Sequence, residues 1–184
     1  MRAFFALHPP SETLAGVRAV LDRLAELPES DRLRIVPPRN LHLTLKFLGE
    51  VPLADLEALC DAGREAARRE PLSLTLTGCR TLGSKRHGVF ALGVAPDDGL
   101  AALAEALELG LVARGFPAAR RGFKPHLTLA RARRMTAPLK RAAKAAILQE
   151  PLELDWPIES FALVKSRLAP TGASYSIIEE FPLR

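Results

Sequence analysis

The chain has 184 residues, of which 48% are apolar and 26% charged. That composition belongs to a globule able to bury a sizeable core, and excludes a disordered or fibrous chain. No apolar run approaches the roughly 20 residues of a membrane-spanning helix, while a formal net charge of +5 raises the local concentration of polyanions and makes nucleic acid a natural class of partner.

Taken in order, residues 2–8 read as a strand. The apolar run Ala3-Phe4-Phe5-Ala6-Leu7 is too short for a secretory segment and is followed by Pro9-Pro10, so a cytoplasmic location is expected. From Ser11 to Leu27, Leu14, Val17, Val20, Leu21 and Leu24 fall at helical spacing, with Ser11 as the expected N-cap and Pro28 as the stop. Arg32 to Val36 is short and β-prone, and Leu41 to Leu48 alternates as a strand until Gly49. A second helix is expected from Leu53 to Arg69 and a strand over Leu72 to Thr77. A turn over Gly83 to Gly88 then leads into a strand from Val89 to Ala95. Asp97 caps a third helix carrying Leu100, Leu103, Leu107 and Leu111; His126 to Ala130 is a further strand and residues 136–148 a fourth helix. Three strands near 151–156, 159–165 and 174–181 close the chain. The order gives an α+β protein with two similar halves, and no linker divides residues 1–184.

The two cysteines, Cys60 and Cys79, match no metal spacing and read as buried thiols. Asn and Gln occur once each while ionic side chains are plentiful, a compositional trait of thermophilic proteins.

One tetrapeptide occurs twice: His42-Leu43-Thr44-Leu45 and His126-Leu127-Thr128-Leu129, 84 positions apart. At average usage a given His is followed by Leu-Thr-Leu on the order of once in a thousand, and two of the four histidines here carry the motif. In a strand, residues two apart share a face, so each copy presents an imidazole beside a hydroxyl while its leucines face the core. Packed about a pseudo-two-fold axis, the copies would bring two imidazoles and two hydroxyls to one cleft. In-line displacement at a phosphate needs a base for the attacking oxygen and an acid for the leaving oxygen, and imidazole serves both near neutrality. Threonine hydroxyls can hold the non-bridging oxygens; no metal or other cofactor is required.

The longer segments Asn40-Leu41-His42-Leu43-Thr44-Leu45-Lys46-Phe47-Leu48-Gly49-Glu50 and Phe123-Lys124-Pro125-His126-Leu127-Thr128-Leu129-Ala130-Arg131 resemble the two motifs of the 2H phosphoesterase superfamily, in its RNA 2′,3′-cyclic phosphodiesterase (2′-5′ RNA ligase) branch. The opening Arg2 to Ala6 and the stretch from Ser166 to Tyr175 also fit. The resemblance implies one domain over 1–184 with two pseudo-symmetric lobes of antiparallel sheet and outer helices around a central cleft. It implies hydrolysis of the cyclic phosphate on RNA ends to a 2′-phosphate, with His126 activating water and His42 protonating the 3′ oxygen. Thr44 and Thr128 would hold the phosphate, and Arg131 would add a charged contact. Lys124 stands where the branch more often has Arg, and supplies charge without the planar fork. A monomer is expected, since the two halves complete one cleft.

His8 reads as a rim residue, and Lys85-Arg86-His87 most simply as a solvated hairpin tip, with contact to an RNA backbone as the alternative. Arg133 and Arg134 read as surface charge, and Phe47 as core. Tyr175 is either core or a stacking surface. Gly83 to Gly88 lacks the Lys-Ser/Thr of a nucleotide-phosphate loop. Two other readings stay open: an RNA-binding module without turnover, and a phosphodiesterase for a small cyclic phosphate.

Overall fold

Runs of alternating side chains form nine strands, and apolar stripes form four α-helices, among the residues that the computed structural model describes: 1–84, 86–149, 153–169 and 172–184. The strands are β1 (Arg2–Leu7), β2 (Leu33–Ile35), β3 (Leu43–Glu50), β4 (Leu72–Gly83), β5 (Gly88–Val94), β6 (His126–Ala132), β7 (Glu153–Ile158), β8 (Ser160–Ala169) and β9 (Gly172–Pro182). The helices are α1 (Ser11–Ala25), α2 (Leu56–Ala66), α3 (Asp98–Ala113) and α4 (Ala137–Ile147). All pairings are antiparallel, in the order β7-β4-β5-β6-β3-β1-β8-β9, with β2 beside β6.

The α+β expectation holds, and the two lobes are halves of one sheet. They meet where β3 and β6 share a single registered pair, Leu43 opposite Leu127. Outward from that pair the registers repeat. Leu7 and Ala6 of β1 face Leu43 and Thr44, just as Leu92 and Ala91 of β5 face Leu127 and Thr128. Each histidine strand then carries a bulge at the same point, leaving Leu45 without an opposite residue on β1 and Leu129 without one on β5.

The helices cover one face of the sheet through Val17, Val20, Leu21 and Leu24 of α1, Leu59 and Ala62 of α2, Leu100, Leu103, Leu107 and Leu111 of α3, and Leu139, Ala143 and Ile147 of α4, all in the main core with Leu43, Leu127 and Trp156. Asp97 caps α3 by accepting from the Leu100 N–H at 2.6 Å. Ser11 does not cap α1: it is the first helical residue, and the extended Pro10 before it supplies only its carbonyl, to the Leu14 N–H at 2.9 Å. The expected helix from Leu53 opens as a 3₁₀ turn, Leu53–Asp55, before α2 begins. β4 continues beyond Thr77 because Gly78, at φ +56°, adopts a left-handed conformation that bulges the strand without ending it. Of the expected strand near 151–156, residues 151 and 152 lie outside the described residues.

A polar clip ties the two halves together. Lys46, 8% exposed, donates to the Glu108 carboxylate of α3 at 2.5 Å and to the Pro117 carbonyl at 3.1 Å, while Glu108 accepts from the Ala119 N–H at 2.6 Å. The segment leading to His126 is thereby held on β3. Glu108→Ala leaves the Lys46 ammonium buried without a counter-charge and should destabilise the protein by about 2–3 kcal/mol. Lys46→Met, which removes the charge and keeps the packing, should cost less. Urea denaturation checks this through the midpoint at constant slope; equal losses in the two variants would show that the buried charge is not what matters.

Candidate active site

Strand alternation sets out the site. Leu43, Leu127 and Leu129 are fully buried, so His42, Thr44, His126 and Thr128 stand on the opposite, cleft-lining face. On that face Phe4, Ala6, Ala162 and Val164 form a second, smaller apolar cluster, with Tyr175 packed against it.

Both histidines are oriented in the same way. The Nδ1 of His42 lies 2.7 Å from the Asn40 carbonyl, and the Nδ1 of His126 lies 2.8 Å from the Lys124 carbonyl. A carbonyl only accepts, so each Nδ1 carries the proton and each Nε2 is left free for chemistry. The Asn40 side chain in turn donates to the Ala173 carbonyl at 3.0 Å, fastening the His42 anchor to β9. Asn40 heads the first motif segment, but its role here, through its backbone carbonyl and its side-chain amide, is not among the expected site roles.

The two imidazoles have different surroundings. The His42 ring lies 4.8 Å from Phe4, 5.1 Å edge-on from Tyr175 and 6.4 Å from His8, which stands at the rim as expected. Burial drives the His42 pKa down to about 4; the Asn40 carbonyl opposes this, and the charges of His8, Arg131 and His126 reinforce it. His42 is therefore neutral at pH 7 in the free protein. His126 opens the exposed end of β6 beside Gly93 of β5.

Neither threonine hydroxyl has a protein hydrogen-bond partner among the described residues, so both are available to bound oxygens. Arg131 is exposed, faces the cleft, and lies close enough for its charge to act on His42. Lys124 touches the site through its backbone carbonyl, while its side chain is exposed.

Phe47 is not in the core. It is 52% exposed, lies nearly parallel to Phe4 at 6.0 Å, and carries the Arg2 guanidinium 5.1 Å above its ring. The bulge at Leu45 is the cause: Leu45 and Lys46 both turn inward, which sends Phe47 to the cleft face. The same bulge on β6 buries Leu129 and Ala130 and sends out Arg131. Phe47 and Arg131 therefore hold equivalent positions in the two halves, so one half offers an aromatic ring where the other offers a cation.

The family model of the 2′-5′ RNA ligase superfamily matches residues 7–169. The chain is 35% identical, over all of its length and 91% of the relative's, to a Thermus thermophilus protein named RNA 2′,3′-cyclic phosphodiesterase. Its fold matches a solved Thermus thermophilus structure at a TM-score of 0.79 with 32% identity, covering 100% of this chain and 98% of that one. It matches Escherichia coli LigT, solved with 3′-AMP, at a TM-score of 0.78 with 29% identity, covering 99% and 97%.

The depressed His42 pKa makes stability depend on pH. An unfolded histidine takes its proton near pH 6.5 and the folded one near 4, so the contribution is complete above 6.5 and is lost as pH falls toward 4. Its size is on the order of 3 kcal/mol. His42→Gln should flatten that part of the stability–pH curve in denaturant titrations. An unchanged slope would show that the ring is not held neutral by burial.

Proposed function

The chain belongs to the 2′-5′ RNA ligase superfamily, and on that premise we propose that it is an RNA 2′,3′-cyclic phosphodiesterase, acting through residues 1–184 as one two-lobed, monomeric unit. The observation that carries the reading is the pair of His-x-Thr elements facing one cleft from either side of the Leu43–Leu127 pair, with both Nδ1 atoms tied to backbone carbonyls.

In the proposed reaction His126 Nε2 takes a proton from water as its oxygen forms a bond to phosphorus. The bond from phosphorus to the ribose 3′ oxygen breaks in line, and His42 delivers a proton to that oxygen, leaving a 2′-phosphate. The Thr44 and Thr128 hydroxyls hold the non-bridging oxygens, Arg131 adds positive charge and Lys124 lends charge at the cleft mouth. The anionic substrate, seated against His42, favours the imidazolium and so charges the acid as it binds. A 5′-hydroxyl in place of water would open the ring in the same way and form a 2′-5′ linkage. The cyclic phosphate requires a 2′ oxygen, so the substrate class is RNA.

Turnover of a short oligoribonucleotide with a 2′,3′-cyclic phosphate, measured in chelator, tests the reading. Native protein should yield a 2′-phosphate, and His42→Ala and His126→Ala should each lower kcat by roughly 10²–10⁴. RNA affinity should persist in His126→Ala. Turnover of small cyclic phosphates with none of RNA ends would favour the metabolite reading instead. The pH profiles add a second expectation: the alkaline limb, where the acid has lost its proton, should lie at lower pH in kcat/KM, which reports the free enzyme, than in kcat. Coincident limbs would contradict charging of His42 on binding.

A further inference from the structure

Beyond the C-terminal end of β6, a concavity of about 630 Å³ is lined by Arg86, His87, Arg133, Arg134, Met135 and Thr136. It gathers residues distant in sequence: the tip of the β4–β5 hairpin and the chain leaving the second histidine strand. Ser84 Oγ accepts from the Arg86 and His87 N–H groups at 3.3 Å each, and the Ser84 N–H donates to the His87 carbonyl at 3.0 Å. Lys85 lies outside the described residues.

We propose that this concavity binds the sugar–phosphate backbone of single-stranded RNA on the 5′ side of the cyclic end. The proposal rests on the phosphodiesterase reading and extends its site.

Three observations carry it. First, Arg86, Arg133 and Arg134 are exposed and have no carboxylate partner among the described residues. The carboxylate at the edge, Glu29, is already paired with Arg32 at 3.1 Å and accepts from the Thr136 hydroxyl at 3.4 Å. Three guanidinium groups around one hollow repel each other until a polyanion lies between them. Second, the concavity continues the catalytic strand. β6 leaves His126, passes Arg131 on the cleft face and ends at Ala132, and Arg133 follows directly. At about 3.3 Å per residue the separation is roughly 20 Å, a distance that several nucleotides span, with Arg131 along the way. Third, the floor is apolar. Met135 occupies the space that a side chain on Gly88 would need, so a flexible thioether lies beneath the cations. A greasy floor under a ring of guanidinium groups suits ribose and phosphate together, as single-strand grooves do. A compact inorganic anion would leave the floor unused.

The test compares an eight-nucleotide RNA bearing a 2′,3′-cyclic phosphate with a nucleoside 2′,3′-cyclic monophosphate, in native protein and in the Arg86→Gln, Arg133→Gln, Arg134→Gln triple variant. These exposed substitutions should leave the circular dichroism spectrum and mononucleotide turnover unchanged. The octamer KM should rise on the order of tenfold, and the slope of log KM against log salt should fall by about 2, at roughly 0.7 for each phosphate no longer neutralised. Fluorescence anisotropy of a 3′-hydroxyl octamer reads the same surface without chemistry, and should weaken in parallel. Equal responses of octamer and mononucleotide would overturn the proposal, as would unchanged anisotropy or displacement of RNA by polyglutamate at equal charge. Absence of turnover in native protein would sink the phosphodiesterase reading, while the anisotropy difference would still decide this one.

Discussion

The cleft depends on one contact, the antiparallel pairing of Leu43 with Leu127. Each leucine follows its histidine directly and is fully buried in the main core. Because side chains alternate along a strand, driving both leucines inward sends both histidines and both threonines to the other face. A slip of one residue on either strand would turn an imidazole into the core. Hydrophobic burial thus sets the register, and the register sets the chemistry. The Lys46–Glu108 clip works in the same direction, since it holds the approach to His126 against the strand that bears Thr44.

A pseudo-two-fold axis by itself makes two equal half-sites, whereas the proposed reaction needs an acid and a base that differ. The repeated bulge resolves this by exporting one further residue from each strand to the cleft face, and those residues are Phe47 and Arg131. In one half, Phe47 joins Phe4 and Tyr175 in an apolar shelf that buries His42. In the other, Arg131 near the end of β6 begins a run of positive charge that continues past the strand through Arg133 and Arg134. The backbone geometry is shared, and the side chains placed on it make the halves unlike.

Much of this is legible in the sequence. The strand positions of both tetrapeptides, the Asp97 cap and the four apolar helical stripes follow from local periodicity, which one sequence carries in full. The exposure of Phe47 is not legible, because strict alternation past Leu45 assigns it the wrong face and a bulge has no compositional mark when the extra residue is a leucine. Gly78 does carry a mark: a glycine inside a strand pattern signals a bulge, and reading it as the strand's end loses the second half of β4. Asn40 and Lys124 contribute backbone carbonyls, which any residue possesses, so the contacts orienting the imidazoles leave no trace in residue type. The gathering of Arg86 with Arg133 and Arg134 depends on β5 lying beside β6, a long-range pairing that no local pattern encodes.

Identical tetrapeptides with identical Nδ1 contacts cannot distinguish the proposed acid from the proposed base through bonded geometry. Desolvation can. The aromatic shelf makes a protonated His42 costly in the free protein, and the charges of His8, Arg131 and His126 add to that cost. All of these influences act against a bare cation and weaken once an anion is bound: the phosphate offsets the positive charges, and excluding water from around it strengthens its own attraction for the imidazolium. In the proposed reaction His42 thus becomes an acid only when there is a leaving group to protonate. The same burial that lowers its proton affinity in the free protein makes that affinity respond strongly to the substrate's charge. A solvated imidazole at the same position would start closer to the required protonation state and respond less, so the aromatic wall around His42 belongs to the chemistry of the cleft as much as to its packing.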